Sequence, residues 1–219
     1  MSGYYLIIIV SMVLGFAVSG LVNGRMKANK RVAVSTGLTG RQAALKMLAD
    51  NGVTNVNVVQ GREGQDHFDP RTNTIALSPS NYNSTSLTAS ATAYHEAGHA
   101  LQYATKYNPL FIRSAMAGPV TLCSNLWIFI LMIGIATQAT GLTLLACAIY
   151  AFVVLFQLVT LPVEFNASAR ALKYCKSIGF RSSELTRSSQ LLRACALTYV
   201  VAALTAVLQL AWIFLQSER

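Results

Sequence analysis

The chain has 219 residues, 53% of them hydrophobic and only 11% charged, with a formal net charge of +9. That balance excludes an ordinary soluble domain. The basic excess does not point to a nucleic-acid partner: no aromatic–basic pattern accompanies it, and basic residues beside apolar spans serve membrane orientation and contact with anionic lipid headgroups.

The first 24 residues carry no charge, and the run from Tyr4 to Val22 is apolar enough to cross a bilayer. Arg25, Lys27, Lys30 and Arg31 follow this run instead of preceding it. Residues 1–24 are therefore expected to be a retained transmembrane helix with its N-terminus outside, not a cleaved signal peptide.

Residues 25–118 read as a small cytoplasmic α+β segment. Thr39 is a good N-cap, Ala43–Leu48 has helical spacing, and Asn51-Gly52 ends the helix. Asn55–Val59 alternates polar and apolar residues, as a half-buried strand does. Asp66 to Ser78 reads as two strands joined by a tight turn at Asp69-Pro70 and Thr72-Asn73. The second strand, Thr74, Ile75, Ala76 and Leu77, is a candidate for pairing with an extended peptide substrate. A hairpin that merely packs explains the pattern equally well.

Next comes Ala93-Tyr94-His95-Glu96-Ala97-Gly98-His99-Ala100-Leu101. Residues i and i+4 share one helix face, so His95 and His99 can offer two imidazole nitrogens to one ion. Glu96 beside them cannot easily be a further ligand and is the candidate general base. Two imidazoles, one more ligand and a water describe a zinc site with an open position, and the chemistry implied is hydrolysis of a peptide bond. Two of only three histidines fall in this motif, which argues against a chance pair of surface histidines on an amphipathic helix. Asn83 to Ser86 supplies cap residues, and Asn108-Pro109 is expected to stop the helix. Gly98 lowers helix stability, so packing or access should require it.

Between Arg113 and Glu164 lie 50 residues without a charge. One helix of that length would reach about 75 Å against a hydrocarbon thickness of about 30 Å, so residues 119–162 should form a hairpin turning at Thr137 to Gly141. Residues 163–193 read as a second cytoplasmic helix and 194–217 as a fourth span. The two segments Asn23–Gly118 and Pro162–Arg193 then lie on one side of the membrane, and they hold 16 of the 17 Lys and Arg residues. The positive-inside rule places both, and the histidine motif, in the cytoplasm. Cys123, Cys147, Cys175 and Cys195 have no paired spacing and read as small hydrophobes.

A third ligand must come from elsewhere. Glu164 follows Leu161-Pro162 at the mouth of the third span, where it could close the site or stabilise a helix N-terminus. His67 could complete the set, or donate a hydrogen bond to a developing oxyanion. Asp66 and Asp69 are weaker candidates, since turn chemistry explains Asp69.

Three stretches together resemble the small bacterial membrane zinc metallopeptidases of the YugP type. They are Asp66-His67-Phe68-Asp69-Pro70, the His95–His99 motif followed by Ala100-Leu101-Gln102, and Leu161-Pro162-Val163-Glu164-Phe165-Asn166-Ala167-Ser168. Gly37 to Gly40 and Ala196 to Val200 extend the likeness over nearly the whole chain. The resemblance implies a four-span protein of the bacterial inner membrane with proteolytic activity, a Zn2+ cofactor, and Glu164 as third ligand, by analogy with zinc peptidases that take a glutamate from a later helix.

The expected fold is thus a mainly α membrane protein of four transmembrane helices with a small α+β zinc-peptidase domain. The expected substrates are membrane or membrane-tethered proteins. An ATP-dependent protease is excluded, because no Gly-x-x-x-x-Gly-Lys-Ser/Thr loop occurs. An intramembrane protease is disfavoured, because no span contains an aspartate. The reading from another class is a non-catalytic membrane scaffold with a structural or vestigial zinc site.

Overall fold

The computed structural model describes residues 2–217, so Met1 of the expected first span lies outside it. The elements in chain order are α1 (Ser2–Asn29), α2 (Gly40–Asp50), β1 (Asn57–Gln60), β2 (His67–Asp69), β3 (Thr74–Leu77), α3 (Pro79–Tyr82), α4 (Leu87–Ala104), α5 (Asn108–Ala136), α6 (Thr140–Ser177) and α7 (Ser182–Ser217). Among the described residues the protein is mainly helical with one small sheet, and four helices, α1, α5, α6 and α7, are long and apolar enough to cross a membrane.

The chain divides into two compact units. One comprises the described residues up to Val18, Phe111–Pro162 and those from Leu197 onward. Its core gathers Val120, Leu131, Ala146, Tyr150, Val154, Ala206 and Ile213, while large side chains such as Phe129, Met132, Ile135 and Leu155 stay exposed. An apolar surface of this kind suits lipid, which solvates such side chains as well as a protein core does. The turn between α5 and α6 falls within the expected stretch, and Gln138 takes a left-handed φ of 54° there. Gly134 lets the two helices close on each other: a Cβ at this position would lie 2.9 Å from the Thr143 backbone nitrogen.

The second unit comprises Ser19–Leu110 and Val163–Ala196. Helix α2 starts as its sequence dictates. Gln42 N donates to Thr39 Oγ1 (3.3 Å), and Thr39 N donates to Gln42 Oε1 (3.0 Å), a complete capping box. The Asn51-Gly52 stop is also formed, with Gly52 at φ 73°. Ala43, Ala44, Met47 and Leu48 of α2 join Ile75, Leu77, Leu87, Tyr94, Ala97 and Leu101 in one core.

The sheet order is β1-β3-β2, with β1 parallel and β2 antiparallel to β3. The turn at 69–73 joins β2 to β3 as expected, and Asp69 Oδ1 accepts from Arg71 N at 2.9 Å within it. The central position of β3 corrects the expectation that Thr74, Ile75, Ala76 and Leu77 pair with substrate. All four residues already pair with Asn57 to Gln60 on one side, and Thr74 to Ala76 pair with Asp69 to His67 on the other. The backbone groups that a substrate strand would need are consumed within the sheet.

Two helix boundaries also differ from expectation. Asn108-Pro109 does not stop the histidine helix but opens α5, where a proline in the first turn removes no intrahelical bond. The stop lies earlier. Lys106 adopts φ 52°, Lys106 N donates to Tyr103 O (3.1 Å) and Tyr107 N to Gln102 O (2.9 Å), the paired bonds of a Schellman ending. Pro162, read as a boundary, sits inside the continuous helix α6. An interior proline removes one backbone bond, an arrangement that membrane helices tolerate.

Candidate metal centre

Helix α4 begins where the cap residues place it, with Ala89 N donating to Ser86 Oγ at 3.2 Å. Its apolar positions, Ala93, Tyr94, Ala97, Ala100 and Leu101, enter the core and fix the helix about its axis. His95 and His99 then emerge together on another face, with ring centroids 4.7 Å apart and planes nearly perpendicular.

Glu164 comes to them on α6. Its Oε2 lies 3.3 Å from His95 Nε2 and its Oε1 lies 3.7 Å from His99 Nε2. One donor atom from each residue falls within 4.8 Å of the other two. A tetrahedral ion with bonds of about 2.1 Å separates its ligands by about 3.4 Å, so these spacings fit zinc. The donor set, two imidazoles and a carboxylate, is that of a catalytic site with one position left for water. The three residues fit the ion that the sequence implied. Since Glu164 lies well inside α6, the reading of it as a carboxylate at a helix N-terminus does not hold.

The approach depends on Gly98. A Cβ on it would lie 2.7 Å from the Ala167 carbonyl oxygen, so only a glycine lets α4 lie this close to the ligand-bearing part of α6. The close packing foreseen at Gly98 is present.

Glu96 is buried, with a relative exposure of 7%. Burial pushes its carboxyl up to about 7, and the charges of Glu164 and Asp66 push the same way while His95 and His67 oppose them. Glu96 is not part of the three-donor group, in keeping with a base beside the ligands.

The other candidates lie apart from that group. His67 is exposed on β2, its Nδ1 2.9 Å from the Gln65 carbonyl. Asp66 is committed elsewhere: Oδ1 accepts from Ser78 N (2.7 Å) and Oδ2 from Asn81 Nδ2 (2.8 Å). Asp69 belongs to its turn, and the Arg71 side chain and backbone N–H hold its carboxyl below the usual range.

Two polar residues that the sequence gave no role touch the histidines on their far nitrogens. Gln102 Oε1 is 3.0 Å from His99 Nδ1, and Ser168 Oγ is 3.2 Å from His95 Nδ1. Their spacing was the available signal: Gln102 is one helical turn beyond His99, and Ser168 one turn beyond Glu164.

Residues 4–218 match the profile of a family described as "Putative neutral zinc metallopeptidase". A Bacillus subtilis (strain 168) protein named "Putative membrane protease YugP" is 36% identical over 191 residues, covering 86% of this chain and 85% of that protein. No solved structure matches the chain.

Proposed function

This chain belongs to that zinc metallopeptidase family, and on that premise we propose that it is a membrane-embedded zinc endopeptidase cleaving membrane or membrane-tethered proteins. The observation that carries the reading is the convergence of His95, His99 and Glu164 at ligand spacing, with the buried Glu96 carboxyl next to them.

In the proposed mechanism His95 Nε2, His99 Nε2 and a Glu164 oxygen would hold the ion. Zinc, when bound, supplies a Lewis acid that polarises a carbonyl and lowers the pKa of a water to about 7. Glu96 accepts the proton of the attacking water and returns it to the leaving amide nitrogen as the peptide bond breaks. Its burial keeps bulk water from competing for that proton. His67 of β2 is the candidate auxiliary donor to the oxyanion.

Sequence position supports this substrate class. Glu164 adjoins the uncharged run of 50 residues that supplies two spans. A site built there meets tethered substrates at high effective concentration. The charge asymmetry of the loops supports an N-terminus outside and a site in the cytoplasm of a bacterial cell.

Glu96→Gln tests the reading. The variant should retain zinc and lose at least about 100-fold of its cleavage of a membrane-tethered reporter, as expected for loss of a general base. A variant that cleaves at the wild-type rate would contradict the assignment.

A further inference from the structure

We infer that Gln102 is a positioning residue, which holds the neutral His99 ring with its proton on Nδ1 and ties the histidine helix to the turn of α6 that carries Glu164. The inference rests on the zinc-site reading above.

Hydrogen-bond logic fixes the orientation of the Gln102 amide. Gln102 is fully buried. One end of its side chain lies 2.8 Å from the Val163 carbonyl oxygen and 3.0 Å from Asn166 Oδ1. A backbone carbonyl can only accept. Asn166 Oδ1 is also an acceptor, because Arg170 Nε, which can only donate, points to it at 2.9 Å. The end facing both must be the Gln102 NH2 group. Its oxygen then faces His99 Nδ1 at 3.0 Å, and an amide oxygen only accepts. His99 Nδ1 therefore carries a hydrogen, and in the neutral ring Nε2 keeps its lone pair. Nε2 is the atom that faces Glu164.

A histidine's tautomer is set by the partner of its other nitrogen, and such partners hold ligand rings in place. Gln102 does this while anchored to Val163 and Asn166, which flank Glu164 in the chain. One side chain thus sets the ring of one ligand and the position of the helix bearing another. The chain of bonds continues outward through Arg170 Nη2, which donates to Thr105 Oγ1 at 3.2 Å just beyond the end of α4. Ser168 makes the matching contact to His95, but a hydroxyl can rotate and either donate or accept, so the constraint there is weaker.

The test uses the full-length protein in detergent, 15N-labelled at its three histidines. In the metal-free wild type, ring 15N spectra above neutral pH should show His99 protonated on Nδ1. Gln102→Leu, close in volume and without polar atoms, should lose that preference and bind zinc about 10- to 100-fold more weakly in chelator competition. Gln102→Glu retains an acceptor toward His99 and should restore the Nδ1–H ring. Unchanged tautomer and zinc affinity in Gln102→Leu would overturn the inference, as would an Nε2–H ring in the wild type, a result that needs no variant to fold. A wild type with the Nδ1–H ring and no zinc binding would support the tautomer assignment and overturn the peptidase reading.

Discussion

Glu164 shows how much a single side chain contributes. A carboxylate buried at 3% exposure is destabilising unless it is paired, and here its two oxygens face two imidazoles. The amide of Glu164→Gln has nearly the same volume but no charge to offset that of a divalent ion. Zinc affinity should fall by more than about 100-fold, beyond the loss typical of a residue that only orients a ligand. Metal-free Glu164→Gln should unfold at a lower temperature, because the pairing of the buried carboxylate with the His95 and His99 rings is lost. Isothermal titration and thermal unfolding of the two proteins check both statements. Undiminished zinc binding would remove Glu164 from the site. The pairing of His95 with His99 was legible at this scale because four-residue spacing on a helix is a local rule. Glu164 was one of several open candidates on its own position, since nothing local joins residue 164 to residue 99. Ser168 went unassigned for the same reason, since the ring it meets is distant in the chain, and Gln102 because spacing alone does not show which nitrogen of His99 it faces.

At the scale of elements, the contact between α4 and the part of α6 beyond Pro162 sets the site. Gly98→Ala pits two effects against each other. Alanine favours the helix by about 1 kcal/mol, while overpacking costs about 1–3 kcal/mol. Its Cβ would meet the Ala167 carbonyl oxygen at 2.7 Å and Cα at 3.2 Å, both backbone atoms that cannot turn aside. Overpacking should win. The variant is expected to melt at a lower temperature and to bind zinc more weakly, since α6 moves with Glu164. A raised melting temperature with normal zinc affinity would contradict the packing described. The caps of α2 and α4 and the 69–73 turn were legible because Thr39, Ser86 and Asp69 act on backbone groups a few residues away. The order of strands was not. Parallel pairing of β1 with β3 joins segments separated by β2, and alternation in sequence does not reveal which strand lies in the middle. The end of α4 was misread because a Lys106 in the left-handed region carries no compositional mark, whereas Pro109 does.

For the whole molecule, four apolar helices and a strong asymmetry of charge carry the argument. The hairpin tip at Thr137 to Ala139 has no basic residue, and 16 of the 17 Lys and Arg residues lie in the two segments proposed to face the cytoplasm. In a variant with the four native cysteines replaced, Gln138→Cys should react with a membrane-impermeant maleimide on intact cells, and Gln65→Cys only after lysis. The reverse pattern would put the site on the outer face and exclude cytoplasmic substrates. Span number was legible because it follows from length and hydropathy alone. Helix ends were less so, because α5 and α6 run past Pro119 and Pro162, where charge and proline suggested boundaries.

The central claim is that two imidazoles and one carboxylate hold a zinc ion whose fourth position is open. X-ray absorption at the zinc edge of the purified, zinc-loaded protein tests it most directly. The account predicts two nitrogen and two oxygen neighbours at about 2.0–2.2 Å, with one oxygen exchangeable and the other lost in Glu164→Gln. Sulfur at about 2.3 Å, or four ligands all supplied by the protein, would mark a closed structural site and contradict it.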